Sequence, residues 1–184
     1  MFLSTIAIPS YGGQPNFYAA GIQAENAGNY VEAISQYEIA AKSGLKDAKY
    51  ALGRIYRDVY GDMDNSFKWF LEAAKQGDAF AQYEVGMLYR YGNAVVPQDL
   101  EQAKQWLTLA TKRRRSKAAY ALFEMADSDD EALMWLQQAA KWGVTDAMEK
   151  LGHAYKNGMY GLEINLSLSQ HWLEQATQAK ENNL

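Results

Sequence analysis

The chain has 184 residues, which is enough for one domain or for a short array of repeats. Lysines and arginines number 18 against 22 aspartates and glutamates, so the formal net charge is −4. This mild acidity argues against a general nucleic-acid-binding protein, because such proteins usually carry a basic surplus. The absence of cysteine excludes a disulfide framework, thiolate metal sites and a cysteine nucleophile. A hydrophobic content of 48% with only three prolines excludes a disordered chain.

Residues 1–14 are predicted to form an N-terminal extension. The stretch from Met1 to Ile8 is apolar, but it has no basic segment before it and no small-residue cleavage site after it. A tail or an N-terminal packing segment is therefore favoured over a signal peptide. No apolar run approaches the roughly 20 residues that a membrane-spanning helix needs. We therefore expect a cytoplasmic protein without a membrane partner.

Downstream of the extension, the sequence repeats itself. Four tryptophans recur at intervals of 37, 29 and 37 residues, and an alanine follows each of them four positions later. A second marker precedes each tryptophan, an alanine with a Leu-Gly-like pair four residues on. The tryptophans are Trp69, Trp106, Trp135 and Trp172, and the pairs are Leu52-Gly53, Val85-Gly86, Leu122-Phe123 and Leu151-Gly152.

Each of these units is predicted to be a helical hairpin. Ala48, Leu52 and Tyr56 recur at i, i+4 and i+8, which places them on one helix face. Trp69 and Ala73 mark one face of a second helix in the same unit. Because one hairpin cannot bury its apolar stripe alone, neighbouring hairpins must stack. A glycine that suits the left-handed end of a helix recurs near the unit ends, at Gly44, Gly77 and Gly143, with Arg114 at this position in the fourth hairpin.

The unequal spacing falls in the turn between the two helices of a unit. Residues 91–99 make a long turn in one unit, whereas residues 127–130 make a short one in the next. Repeat arrays tolerate such differences, because loop length costs little free energy.

Together these residues resemble a known repeat. Ala-x-x-x-Leu-Gly-x-x-Tyr, a Gly-containing loop, Asp, Ala-x-x-Trp and Ala-Ala-x-x-Gly are similar to the Sel1-like repeat, a longer-looped relative of the tetratricopeptide repeat. The resemblance covers residues 44–180 as four hairpins, of which the one over residues 114–141 departs most. Upstream, residues 15–43 resemble one tetratricopeptide-type hairpin through Gly21, Gly28, Asn29, Tyr30, Ala33, Tyr37 and Ala40.

This resemblance implies an all-α fold. We expect a right-handed superhelical solenoid of about five helix-turn-helix repeats over residues 15–184, which ends in a short polar tail. The resemblance also implies that the first helices of the hairpins line a concave surface. Spacing identifies the residues that lie roughly half a turn from the packing stripe on each first helix. The predicted partner-binding residues on this face are Tyr18, Tyr50, Arg54, Arg57, Tyr83, Met87, Arg90, Tyr120, Glu124 and His153.

Two interpretations of this face stay open. Stacked first helices would place the four tyrosines in one column, which offers the apolar area and hydrogen-bonding tip that interface hot spots favour. The three arginines beside it would form a basic patch, which predicts a partner with an acidic or mixed surface. Alternatively, the tyrosines pack between adjacent first helices, where aromatic residues are common in the resembled family.

Carboxylates are plentiful, but the sequence shows no recognisable arrangement of residues for catalysis or metal binding. The two histidines, His153 and His171, form no metal-binding pair, and no glycine-rich phosphate loop or nucleophile elbow occurs. We therefore expect no enzymatic activity, no cofactor and no metal. The basic run over residues 112–115 is interpreted as solvated cations at a helix C-terminus, with contact to a phosphate or an acidic partner as the alternative.

The leading hypothesis is a non-catalytic module that captures a partner protein on its concave surface and is a monomer when free. The resemblance adds a narrower expectation, a bacterial immunity protein that neutralises a cognate toxin, with signalling or secretion adaptors beside it. A β-lactam-binding or hydrolysing enzyme is the alternative, although the relatives linked to β-lactams are cysteine-rich and exported. A self-assembling scaffold is disfavoured by the polar residues 178–184.

Overall fold

The computed structural model describes residues 10–11 and 14–182, so the predicted packing segment from Met1 to Ile8 lies outside the described residues. In the described part, ten α-helices follow a two-stranded antiparallel pair, β1 (Ser10–Tyr11) and β2 (Gln14–Pro15). The helices are α1 (Phe17–Asn26), α2 (Tyr30–Lys42), α3 (Lys46–Asp58), α4 (Met63–Lys75), α5 (Ala79–Tyr91), α6 (Leu100–Thr111), α7 (Ser116–Phe123), α8 (Asp129–Lys141), α9 (Thr145–Asn157) and α10 (Leu166–Glu181).

The second helix of every pair begins at a polar capping side chain. In each case this side chain accepts a hydrogen bond from the backbone N–H three residues later, which satisfies one of the free donors of a helix start. The donor–acceptor distances range from 2.9 to 3.2 Å. The capping residues are Asn29, Asp62, Asp99, Ser128 and Asn165.

Three of the second helices are followed by a glycine in the left-handed region. Gly44, Gly77 and Gly143 have φ angles of +95°, +79° and +87°. After α6, the second helix of the third pair, Arg114 takes the same role with a φ of +58°. The glycine positions that the repeat pattern singled out are therefore the points where the chain reverses between pairs.

The glycine inside a first helix has a different role, because it lets the two helices of a pair approach closely. A Cβ atom at Gly53 would lie 2.5 Å from Cδ1 of Phe70, and one at Gly86 would lie 2.7 Å from Cγ of Leu107. The fourth pair has Phe123 at the equivalent position, and α7 ends there after eight residues, whereas α3, α5 and α9 continue to 13. The close crossing of the two helices in a pair leaves no room for a bulky side chain at this position. The helix α7 therefore ends at the residue where α3, α5 and α9 carry glycine.

The backbone contacts divide the chain into two compact units. The first unit comprises residues 1–85 and 93–96, and the second comprises residues 86–92 and 97–184. The core of the first unit contains Tyr37 and Leu52, surrounded by buried alanines of α1 to α3. The core of the second unit contains Leu136 and Leu151 with buried alanines of α7 to α9. Alanine-rich cores of this kind allow short distances between helix axes.

Candidate protein-binding site

The predicted partner-binding residues lie on the first helices or directly after them. Eight of them are partly buried, among them the four tyrosines, while Glu124 and His153 are exposed. The tyrosines are therefore neither sealed in a core nor fully open to solvent. The expected tyrosine column spans both units and stays a prediction.

In the first unit, α1, α3 and the start of α5 enclose a groove of about 570 Å³, which we call the aromatic groove. Its aromatic walls are Tyr18, Tyr50 and Phe80, and the groove also reaches Tyr37. The ring centroids of Tyr50 and Phe80 are 5.7 Å apart, and those of Tyr18 and Tyr37 are 5.6 Å apart. The groove thus combines tilted aromatic rings with an opening to solvent, and Phe80 is 49% exposed.

Glu25 organises one end of the aromatic groove. Its carboxylate accepts a hydrogen bond from the hydroxyl of Tyr37 at 2.7 Å and forms an ion pair with Arg54. Burial, followed by the hydrogen bond to Glu25, raises the pKa of Tyr37, so this phenol stays protonated and donates. The aromatic groove therefore brings together Tyr18, Tyr50 and Arg54 of the predicted site with the carboxylate of Glu25.

The other two predicted arginines are paired with glutamates as well, in both cases with a glutamate of the following repeat. Arg57 donates from Nη1 to Glu84 at 2.7 Å, and it donates from Nε to Asp58 at 2.7 Å. Arg90 donates from Nη1 to Glu124 at 2.9 Å. Carboxylates therefore neutralise the positive charge of these arginines. The basic patch from which an acidic or mixed partner surface was predicted is accordingly weakened.

A second groove, in the second unit, has a volume of about 410 Å³. It contains the Arg90–Glu124 pair together with an ion pair between Lys104 and Asp127. Tyr91 lies at its edge, 64% exposed, with the guanidinium of Arg90 5.0 Å from its ring centroid. This groove contains two ion pairs, whereas the aromatic groove contains the Glu25–Arg54 pair.

The remaining predicted residues are not gathered in either groove. Tyr120 packs against Phe123 at a centroid distance of 5.7 Å and borders the core of the second unit. Burial raises the pKa of Tyr120, as expected for a packed phenol. Tyr83 and Met87 are half-buried on α5, and His153 is exposed on α9. For Tyr120 the geometry agrees with the packing interpretation.

The sequence analysis missed several residues that line the two grooves. Asp47 and Phe80 each lie three residues before a predicted tyrosine, Tyr50 and Tyr83, and so one helical turn earlier on the same face. That spacing could have identified them. Asp78 and Tyr91 lie at the two ends of α5, and helix periodicity does not fix the direction of side chains at a helix end.

The basic run lies at the C-terminal end of α6. Lys112 is the C-cap of this helix, and Arg113 and Arg114 are exposed in the turn that follows. This placement agrees with cations that interact with the helix dipole. Among the described residues, no group of three or more histidine, aspartate or glutamate side chains is arranged to hold a metal ion. No helix in the described ranges combines the length and apolar character needed to cross a bilayer.

Comparison with known families settles the type of repeat. The family model for the Sel1 repeat matches residues 46–78, 79–113, 116–143 and 145–180, more than half of the chain. The chain belongs to the Sel1 repeat family. The family predicted from the repeat markers is therefore confirmed. Sel1 repeat proteins are protein-interaction modules.

Two proteins that are similar to this chain are named as regulators. The chain is 26% identical over 137 residues to a chitin synthase regulator, SKT5, of Malassezia restricta, covering 70% of this chain and 9% of that protein. It is 30% identical over 159 residues to an exopolysaccharide production negative regulator of Rhizobium meliloti, covering 77% of this chain and 58% of that protein. The chain thus spans less than two thirds of the length of either relative.

A solved structure of a Sel1 repeat protein from Oxalobacter formigenes has the same fold. It superposes with a TM-score of 0.77 at 24% identity, covering 89% of this chain and 72% of that one. The predicted all-α solenoid of helical repeats is therefore confirmed.

Proposed function

We propose that this chain is a non-catalytic module that captures a partner protein through side chains of its first helices. The observation that carries the proposal is the aromatic groove, where Tyr18, Tyr50 and Phe80 offer rigid apolar surface beside the Glu25–Arg54 pair. Aromatic residues and arginine are the side chains that most often dominate binding energy at protein interfaces. The ten residues predicted from the sequence belong to this proposal.

Within this function, we assign the chain a regulatory role toward the captured protein. Two relatives are named as regulators, of chitin synthase and of exopolysaccharide production. Neutralisation of a toxin, as expected from the resemblance, is one form of such regulation. The chain would then act by occupying a surface of its partner rather than by carrying out a reaction.

A capture experiment with two matched variants tests the proposal. The face variant replaces Ile22, Phe80 and Tyr91, exposed side chains that line the two grooves, by alanine. We expect this variant to lose at least about tenfold in the amount of partner captured from lysate of the native host, because truncating interface anchors typically costs more than 1 kcal/mol each.

The control variant replaces Val31, Leu109 and Met134, exposed apolar side chains of the second helices, by alanine. It removes a similar apolar surface from outside the grooves and should capture as much partner as the unmodified chain. Circular dichroism and thermal melting of both variants are used to check that they fold. Equal capture by the two variants would contradict the use of the first helices.

A further inference from the structure

The aromatic groove carries more negative than positive charge. Three carboxylates line it, those of Glu25, Asp47 and Asp78, against the single guanidinium of Arg54. The excess is two negative charges at neutral pH. Arg54 is already engaged with Glu25, so the charge that remains for a ligand is that of the two aspartates.

The two aspartates differ in how they are held. Asp78 is 6% exposed and accepts a hydrogen bond from the backbone N–H of Ala81 at 2.8 Å, so its position is fixed at the start of α5. Asp47 lies in the first turn of α3 and is exposed. One carboxylate is therefore preorganised and the other is free to adjust to a ligand.

Burial and neighbouring charges act together on Tyr18 in the aromatic groove. Its pKa is raised first by burial and then by the charge of Asp47, with smaller contributions in the same direction from Glu25 and Asp78. Arg54 acts in the opposite direction but does not reverse the shift. Burial is thus the main cause of the shift, and the three carboxylates add to it.

We propose that the aromatic groove binds a lysine or arginine side chain of the partner protein, a refinement that rests on the proposed function. The rings of Tyr50 and Phe80 line the groove as a pair 5.7 Å apart, an aromatic wall of the kind that contacts a cation and its aliphatic stem. The two aspartates supply the opposite charge. An acidic segment, one form of the acidic or mixed partner surface predicted from the arginines of this face, would meet the excess negative charge of the groove and be repelled.

The test uses two short probes in place of the partner. N-acetyl-Gly-Arg-Gly-amide and N-acetyl-Gly-Glu-Gly-amide are titrated into the ¹⁵N-labelled full chain while backbone chemical shifts are recorded. We expect the arginine probe to shift saturably the amides around Tyr18, Tyr50 and Phe80, and the glutamate probe to leave them unchanged. Saturable shifts with the glutamate probe there, or none with the arginine probe, would overturn the proposal.

Charge-neutral variants sharpen the test. Asp47→Asn with Asp78→Asn removes the proposed charge while asparagine keeps the capping ability of residue 78. The control, Asp64→Asn with Asp146→Asn, removes two exposed first-turn aspartates outside the groove. We expect the first pair to weaken the arginine probe at least about fivefold and the control pair to leave it unchanged. Equal weakening by both pairs would show a general effect of net charge and contradict the site.

The same variants separate this inference from the proposed function. If the face variant loses the partner but Asp47→Asn with Asp78→Asn retains it, the capture function stands. The inference that the groove binds a basic side chain of the partner is then wrong. If the arginine probe binds in the groove but the face variant still captures the partner, the groove does bind basic side chains. The proposal that the partner is captured through the first helices is then wrong.

Discussion

A single glycine in α3 sets how closely two helices approach. Gly53 faces the fully buried ring of Phe70, and a Cβ there would lie 2.5 Å from the ring. We expect Gly53→Ala to lower the free energy of unfolding by about 1–3 kcal/mol, because the overpacked ring has to move. The loss should occur even though alanine has the better helix propensity. Urea denaturation monitored by circular dichroism measures it.

A chain that lacks the Phe70 ring provides the control for this prediction. In a Phe70→Ala chain the obstructing ring is absent, so a further Gly53→Ala should be neutral or slightly stabilising. An equal loss in both backgrounds would mean that the close contact is not the cause.

Asp62 gives a prediction about acid stability. The backbone N–H of Asn65, and then its side-chain amide, hold the pKa of this capping carboxyl below its usual value. A depressed folded-state pKa contributes stability that is complete above the unfolded-state pKa and is lost as the pH falls through the folded-state value. We expect Asp62→Asn, which keeps the cap, to reduce the loss of thermal stability between about pH 5 and pH 2.

Thermal melting of both proteins across that pH range checks this expectation. Since the chain contains other carboxylates, the unmodified protein and the variant should both lose stability in acid, but the unmodified protein should lose more. Parallel pH profiles would contradict a role for ionised Asp62.

At the residue scale, the local patterns were predictable and the ion pairs were not. The Leu-Gly pair, the tryptophans and the terminal glycines follow from spacing along one helix. One partner of Arg57, by contrast, is Glu84, 27 residues later. Which residues of neighbouring first helices meet depends on the offset between helix pairs, and sequence spacing does not give this offset. The sequence therefore identified the arginines but not their compensation.

At the scale of the elements, the helix ends show how one repeat departs from its neighbours. Arg114 takes the left-handed conformation that glycine takes elsewhere, with a φ of +58°. We expect Arg114→Gly to raise the free energy of unfolding by up to about 1 kcal/mol, because the left-handed region is costly for residues with a Cβ. Chemical denaturation should show a higher midpoint with an unchanged slope.

The neighbouring arginine is the matched control for Arg114. Arg113 is exposed in the same turn and is not among the residues with positive φ. Arg113→Gly removes the same charge without relieving backbone strain, so it should be neutral or destabilising. Stabilisation by both substitutions would point to charge repulsion in the basic run instead of backbone strain.

The sequence analysis did not predict where α7, the first helix of this repeat, ends. Its repeat lacks the usual glycine, and the helix ends at Phe123. Ser128 then caps α8, and the Glu131 side chain accepts a hydrogen bond from the backbone N–H of Asp127. The first turn of α8 is acidic, and the hydroxyl of Ser128 makes the cap. A missing marker indicates that a helix changes, but it does not say at which residue.

For the whole molecule, repetition made the fold predictable. Each helix pair buries little by itself, so the sequence has to repeat the same small and aromatic residues wherever helices cross. These markers identified the family and the all-α solenoid, both of which are confirmed. The working surface is less predictable because it lies opposite the markers, where nothing in the repeat constrains the residue type. The aromatic groove was accordingly found only in part, without Phe80 and the two aspartates.

The arginine–glutamate pairs also restrict the order in which the helix pairs of this protein, its modules, can follow one another. At the first border the glutamate, Glu25, comes from the earlier module, whereas at the next two borders the glutamates, Glu84 and Glu124, come from the later one. A shuffled gene that kept every helix but changed their succession would set some arginines against neutral or basic neighbours. The order of the modules is thus recorded in their charges as well as in the connectivity of the chain.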